Sequence, residues 1–222
     1  MLDAVLFDLD GTLADTAPDL GAATNRVLEE EGRQALPLAT LRPYTSSGVR
    51  GLLRASFDIG PDDRQYERLA ARFLEHYEAR LCEDTVLFAG IAELIDTLES
   101  AGLRWGIVTN KRRRFTDPLV ARLGLSPRTP CVVSGDTTAE AKPSALPVLH
   151  ACSLLGVAPH RTLYVGDDLR DIQAGRNAGC VTVAVSYGYL GHSGPLGTWG
   201  ADLIVDHPDQ LAAHILSRVA PK

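Results

Sequence analysis

The sequence predicts a doubly wound α/β fold, a Rossmann-like parallel sheet with helices on both faces, into which an all-helical segment is inserted after the first strand. Three observations carry this expectation. Short apolar runs recur at Ala4 to Phe7, Trp105 to Val108, Cys131 to Val133, Thr162 to Val165 and Val181 to Val185, each of a length suited to a buried strand. Helical periods lie between the later runs: Ile91, Leu94, Ile95 and Leu98, then Leu119 and Leu123, then Val148, Leu149, Cys152 and Leu155. Strand and helix in alternation imply parallel strands, because parallel neighbours need crossovers. The third observation is an interruption. From about Ala14 to Leu87 the chain shows helical patterns at Leu20 to Glu31, Val49 to Ser56 and Arg64 to Leu81, and no convincing strand. The expected division is therefore 1–13 and 88–222 for the α/β core and 14–87 for the helical insert, with the two crossings able to act as a hinge.

Composition narrows the function classes without choosing one. A chain of 222 residues can hold a sizeable core and an insertion, and 45% hydrophobic with 23% charged residues is a folded rather than a disordered balance. Net charge is −6, and the densest basic cluster is the short Lys111-Arg112-Arg113-Arg114, which argues against a nucleic-acid partner. That cluster is read as a solvated turn ahead of a helix. The four cysteines, Cys82, Cys131, Cys152 and Cys180, and the six histidines show no zinc-site spacing, so reduced, buried thiols are expected. No basic start followed by an apolar run is present, and no apolar stretch reaches membrane-spanning length. The expectation is a cytoplasmic protein with no membrane partner.

In a doubly wound sheet, ligands bind outside the carboxyl ends of the strands. Those positions are unusually polar here. The first strand is followed by Asp8-Leu9-Asp10-Gly11-Thr12, the second by Thr109-Asn110-Lys111, and the fourth by Gly166-Asp167-Asp168-Leu169-Arg170-Asp171; Lys142 precedes a helix beginning near Ser144. Asp8, Asp10, Asp167 and Asp171, gathered at one edge, would repel one another unless compensated. A cation is implied. The available donors are hard oxygens without His or Cys, which favours Mg2+ over zinc or copper. Thr109, Asn110 and Lys142 add donors and a positive charge suited to phosphate oxygens.

This ordered set, DxDGT, then TN, then K, then GDxxxD, resembles the haloacid dehalogenase superfamily of aspartyl-phosphate phosphatases over essentially the whole chain, the helical insert corresponding to its cap domain. The resemblance implies roles by position. Asp8 corresponds to the nucleophile that takes the phosphoryl group. Asp10 corresponds to the general acid and base, and its backbone carbonyl to a metal ligand. Thr109 and Asn110 match the phosphate-holding motif and Lys142 the residue that neutralises Asp8 and the phosphoryl oxygens. Asp167 matches the metal-binding side chain and Asp171 its supporting carboxylate. Two departures are visible, Ala145 within the Lys142-Pro143-Ser144-Ala145-Leu146-Pro147 run and Arg112 where a proline is common. Both bear on local stiffness rather than chemistry.

The opening motif and the Val165 to Gly179 run further resemble the bacterial phosphoglycolate phosphatase group, one branch of which acts on N-acetylmuramic acid 6-phosphate. The segment Arg42 to Arg50 and Tyr187-Gly188-Tyr189 resemble that branch as well, so the substrate expected is a small phosphorylated metabolite bearing a carboxylate, 2-phosphoglycolate first and the sugar acid as the alternative. Ser46, Ser47 and Gly48 are expected to open a helix whose free N–H groups bind the carboxylate, with Arg42 or Arg50 beside them. Three rivals are weighed. A phosphomutase of this fold would accumulate no free phosphate, a dehalogenase would not need Mg2+, and a binding module would be expected to lack one of Asp8, Asp10, Lys142 or Asp167. None is missing.

Overall fold

The apolar run after the first residues forms β1 (Ala4–Phe7), in which every residue is buried. Its side chains alternate: Val5 and Phe7 enter the core on one face of the sheet, Ala4 and Leu6 the core on the other. In this computed structural model, which describes residues 2–218, β1 is joined by β2 (Ala14–Asp15), β3 (Val86–Leu87), β4 (Arg104–Val108), β5 (Val132–Val133), β6 (Thr162–Gly166), β7 (Val181–Val185) and β8 (Leu203–Val205). Six of these make one parallel sheet in the order β5-β4-β1-β6-β7-β8. The chain winds outward from β1 through β4 to β5, then returns to the other side of β1 at β6. The strand order reverses between β1 and β6, and a crevice opens there at the carboxyl edge.

The helices on the two faces are α5 (Ile91–Ser100), α6 (Arg113–Arg122), α7 (Leu146–Leu155), α8 (Leu169–Ala178) and α9 (Pro208–Leu216). The insert carries α1 (Ala17–Glu30), α2 (Leu38–Leu41), a 3-10 turn over Arg42–Ser47, α3 (Gly48–Phe57) and α4 (Tyr66–Ala79). Leu20, Ala23 and Val27 of α1 share a buried cluster with Leu69, Phe73 and Tyr77 of α4. That cluster continues without a break into Phe7, Ile107 and Phe115 of the core, so the cap is seated on the sheet rather than tethered beside it.

The structure adds elements that the sequence reading lacks. β2 and β3 pair antiparallel at the two ends of the insert, Ala14 with Leu87 and Asp15 with Val86, in a region where no strand is expected. Two-residue strands are too short for alternation to register. The edge strand β8 is only three residues long, and α8 buries the small residues Ala174, Gly175 and Ala178, which make a weak apolar period. Cys131, Cys152 and Cys180 are buried and Cys82 is half-buried, all as free thiols. No helix among the described residues is long and apolar enough to cross a membrane.

Candidate active site

β1 and β6 deliver the two sides of the crevice. Asp8 follows β1 and remains in register, its N–H donating to Val165 O at 2.9 Å, while Asp167 follows β6. Asp171 enters one turn later, as the third residue of α8. Carboxylate oxygens of Asp8, Asp167 and Asp171 all lie within 4.8 Å of one another, and all three residues are buried. The glycines make this closeness possible. Gly11 has φ 88°, and a Cβ there would stand 2.2 Å from Asp167 Oδ2; a Cβ at Gly188 would stand 2.3 Å from Asp167 Cβ. Asp167 is thus wedged between two glycines, accepting from Thr12 Oγ1 at 3.0 Å and from Tyr189 N at 2.8 Å.

Lys142 reaches the cluster from the loop before α7. Its Nζ donates to Asp171 Oδ1 at 2.6 Å and to Val108 O at 3.0 Å, and lies 2.8 Å from Asp8 Oδ1. The last contact is a close ion pair whose angle is poor for a hydrogen bond, so Asp8 Oδ1 is buried with the ammonium as its one close polar neighbour among the described residues. Asp171 is saturated: Tyr164 OH donates to its Oδ1 at 3.2 Å and Asp168 N to its Oδ2 at 3.1 Å. Burial pushes the Asp8 carboxyl up to about 7, with Lys142 pulling down and Asp171 and Asp10 adding to the rise. Asp167 is raised well above the usual range by burial and then by Asp8 and Asp171. Burial opposes the charge on Lys142, yet Asp171 and Asp8 outweigh it and hold its pKa above the ordinary value. One lysine, paired directly with Asp8 and Asp171, therefore compensates only part of the charge of three crowded carboxylates. The donor set is oxygen only, and it fits a hard divalent cation.

Asp10 stands apart from that cluster. Its Oδ1 accepts from Lys111 Nζ at 2.7 Å and from Thr16 Oγ1 at 2.6 Å, so its carboxylate faces the cavity between core and cap. The expectation of a solvated turn at Lys111 to Arg114 is corrected here. Arg112, Arg113 and Arg114 are exposed, but the Lys111 side chain is 9% exposed and its ammonium sits 4.8 Å over the Tyr77 ring of α4. Its partner carboxylate lies 101 residues away, beyond the reach of local patterning. Asn110 lines the same cavity, and its side chain has a partner of its own. Its amide makes a reciprocal pair with the Lys142 backbone, Nδ2 to Lys142 O at 3.0 Å and Lys142 N to Oδ1 at 2.9 Å, which positions the lysine loop. Thr109 is buried at the cavity floor, where its Oγ1 accepts from Lys111 N at 3.1 Å.

A cavity of about 460 Å3 opens above these groups. Leu20, Tyr66, Phe73 and Phe115 contribute apolar wall, and Ser46, Ser47, Gly48 and Arg50 line it at the start of α3. Arg42 is not brought there. Its guanidinium forks onto both oxygens of Asp15 at 2.9 Å and lies 5.6 Å from the centre of the Tyr189 ring, at the hinge ribbon. Tyr189 ties that hinge together, its hydroxyl accepting from Thr16 N at 2.7 Å and Ala17 N at 2.9 Å. Arg170, Tyr164, Thr12 and Lys111 are site residues that sequence reasoning missed. For Arg170 the signal was at hand, since it lies inside the acidic run after the fourth strand.

The family model described as haloacid dehalogenase-like hydrolase matches residues 5–185. An N-acetylmuramic acid 6-phosphate phosphatase from Pseudomonas aeruginosa is 44% identical over 210 residues, covering 95% of this chain and 93% of its own length. A phosphoglycolate phosphatase from Xanthomonas campestris is 46% identical over 209 residues, covering 94% of each chain. The crystal structure of a predicted phosphoglycolate phosphatase from Haemophilus somnus superposes with a TM-score of 0.85 at 24% identity, covering 96% of this chain and 98% of its own. With the carboxylate-lysine cluster at the sheet's switch point, the helical cap above it and relatives matching nearly end to end, the chain belongs to the haloacid dehalogenase-like hydrolases.

Proposed function

We propose that the chain is a Mg2+-dependent phosphomonoesterase that moves the phosphoryl group of a small carboxylated metabolite onto Asp8 and then to water. The observation that carries this reading is the buried Lys142 between Asp8 and Asp171, with Asp167 beside them and Asp10 on the cavity side. Asp8 and Asp167 would hold the metal by side-chain oxygens and Asp10 by its carbonyl, and the ion supplies charge neutralisation of the transferring phosphoryl group. An oxygen of Asp8 forms a bond to phosphorus as the ester P–O bond opposite it breaks, and Asp10 gives its proton to the departing alkoxide. Asp10 then takes a proton from water, whose oxygen bonds to phosphorus as the Asp8–phosphorus link breaks and phosphate leaves. Lys142 balances the charge of Asp8 throughout, Asn110 keeps Lys142 in place, and the Thr109 hydroxyl binds a phosphoryl oxygen. Residues 14–87 form the cap that excludes water from the first step, hinged at β2 and β3.

The carboxylate would lie by Ser46, Ser47, Gly48 and Arg50. Names of relatives offer two such substrates, 2-phosphoglycolate and N-acetylmuramic acid 6-phosphate. The cavity volume of about 460 Å3 and its aromatic and aliphatic wall favour the larger sugar acid, since the two-carbon acid would leave most of that space to water. Phosphate release from both compounds, with Mg2+, with Ca2+ and with chelator, tests the reading. Mg2+ should be required and Ca2+ should inhibit through its looser coordination. Full activity in chelator would overturn the mechanism, and a higher kcat/KM for 2-phosphoglycolate would overturn the preference for the larger substrate. The free thiols of Cys131, Cys152 and Cys180 support a reducing, cytoplasmic compartment.

A further inference from the structure

The reaction above leaves Arg170 without a task, although its side chain lines the cavity. Arg170 is the second residue of α8, and its guanidinium is clamped on one edge. Nε donates to Asp168 Oδ1 at 2.8 Å and Nη2 to Asp168 Oδ2 at 2.9 Å, while Asp168 caps the helix by accepting from Arg170 N at 2.9 Å. Nη2 also donates to the carbonyl of Ser46 at 2.6 Å, a contact across 124 residues that docks the cap segment onto the core. A guanidinium has five N–H donors, and the two on Nη1 meet no protein acceptor among the described residues. Ser46 lines the same cavity, and its hydroxyl is buried without a partner. The carboxylate clamp on the opposite edge fixes the guanidinium plane, so Nη1, the donor left over on a side chain that lines the cavity, is preorganised to give a charge-assisted hydrogen bond to an anionic ligand group.

We propose that Arg170 is a specificity-determining residue, whose Nη1 edge receives the substrate's carboxylate together with the Ser46 hydroxyl while the phosphoryl end lies at Asp8 and Lys142. The assignment rests on the phosphatase reading. It adds a residue of the core itself to the cap residues Ser46 to Arg50 proposed above, Arg42 being occupied at the hinge. Asp168 is then a positioning residue, and docking of the cap and reading of the carboxylate depend on one guanidinium.

Arg170→Gln and Arg170→Lys, with Asp168→Asn, would be compared with wild type on 2-phosphoglycolate, N-acetylmuramic acid 6-phosphate and p-nitrophenyl phosphate. In Arg170→Gln, KM for the carboxylated substrates should rise about tenfold or more relative to KM for the aryl phosphate, the loss of a charge-assisted hydrogen bond. Arg170→Lys should recover part of this, and Asp168→Asn should move the same ratio in the same direction by less. Parallel losses on all three substrates, or an unchanged ratio, would overturn the assignment. Should melting show Arg170→Gln unfolded, the ratio in Arg170→Lys decides. Calorimetric titration of 2-phosphoglycolate and N-acetylmuramic acid 6-phosphate into Asp8→Asn, with and without Arg170→Gln, reads the same preference without turnover. Absence of hydrolysis by wild type would therefore count against the phosphatase reading while the carboxylate assignment was still decided by affinity.

Discussion

Two lysines near the same acids show how environment sets a residue's work. Lys142 is inserted among Asp8, Asp171 and the Val108 carbonyl, where it offsets crowded charge; Lys111 pairs with Asp10 against the ring of Tyr77 and ties the proposed general acid to the cap. Burial opposes the charge on Lys111 too, and Asp10 and Tyr77 outweigh it to raise its pKa. The proposed nucleophile Asp8 is the clustered carboxylate with room for a ligand: it lines the cavity beside Lys142, whereas Asp167 is fully buried and Asp171 already accepts from Lys142, Tyr164 and the Asp168 N–H. Asp8→Asn should lower phosphate release about a thousandfold or more, roughly 4 kcal/mol of barrier. Its melting temperature should hold or rise, since the substitution removes a charge from a crowded site. A variant keeping a tenth of wild-type turnover would remove Asp8 from the nucleophile's position.

At the scale of elements, the connection between cap and core decides what each arginine does. The β2–β3 ribbon and the N-terminus of α1 converge on Asp15, Tyr189 and Arg42, so Arg42→Ala should lower activity on carboxylated and aryl phosphates alike. Arg50 lies in the cavity wall at the start of α3, and Arg50→Ala should raise KM for the carboxylated substrates more than for an aryl phosphate. Steady-state kinetics on both substrate types separate the two outcomes. A second tie crosses the hinge: Asp19 of α1 accepts from Asp84 N at 3.1 Å, Thr85 N at 3.0 Å and Thr85 Oγ1 at 2.6 Å. Asp19 is fully buried, and Asp19→Ala would strand these donors. A loss of about 3 kcal/mol is expected in denaturant unfolding, and a loss below about 0.5 kcal/mol would mean that water replaces the carboxylate without penalty.

For the whole molecule, the crowded carboxylates link stability to pH and to metal. Burial pushes the Asp8 carboxyl of the folded chain up to about 7 from its ordinary 3.8. Between those values the folded state binds more protons than the unfolded state, so metal-free stability should fall as pH rises through that window. Asp167, also raised, acts in the same direction. Carboxylates held low by arginine, such as Glu30, brought down to about 2 chiefly by its hydrogen bond to Arg72, lose their contribution only at lower pH and do not mask the trend. In chelator, the melting temperature should be lower at about pH 8 than at about pH 5, and added Mg2+ should raise it more at the higher pH, where its ligands are deprotonated. A chelated protein that is more stable at the higher pH would contradict the electrostatic account of the cluster.

The fold class was legible in the sequence because its evidence is local. A run such as Ala4 to Phe7, buried on both faces, and a stripe such as Ile91, Leu94, Ile95 and Leu98 carry their environment in their own spacing. The acidic and basic residues after β1, β4 and β6 were legible for the same reason, since parallel strands bring their carboxyl ends to one edge whatever lies between them. Pairings between side chains far apart in the chain were not. Asp15 claims Arg42, Asp10 claims Lys111, the Lys142 backbone claims the Asn110 amide, and Asp168 with the Ser46 carbonyl claims Arg170. Each is a choice among several partners of suitable charge, and spacing along the chain does not rank them. Only the tertiary structure, by fixing which groups are buried together and which donors are left over, decided which arginine is spent at the hinge and which faces the cavity.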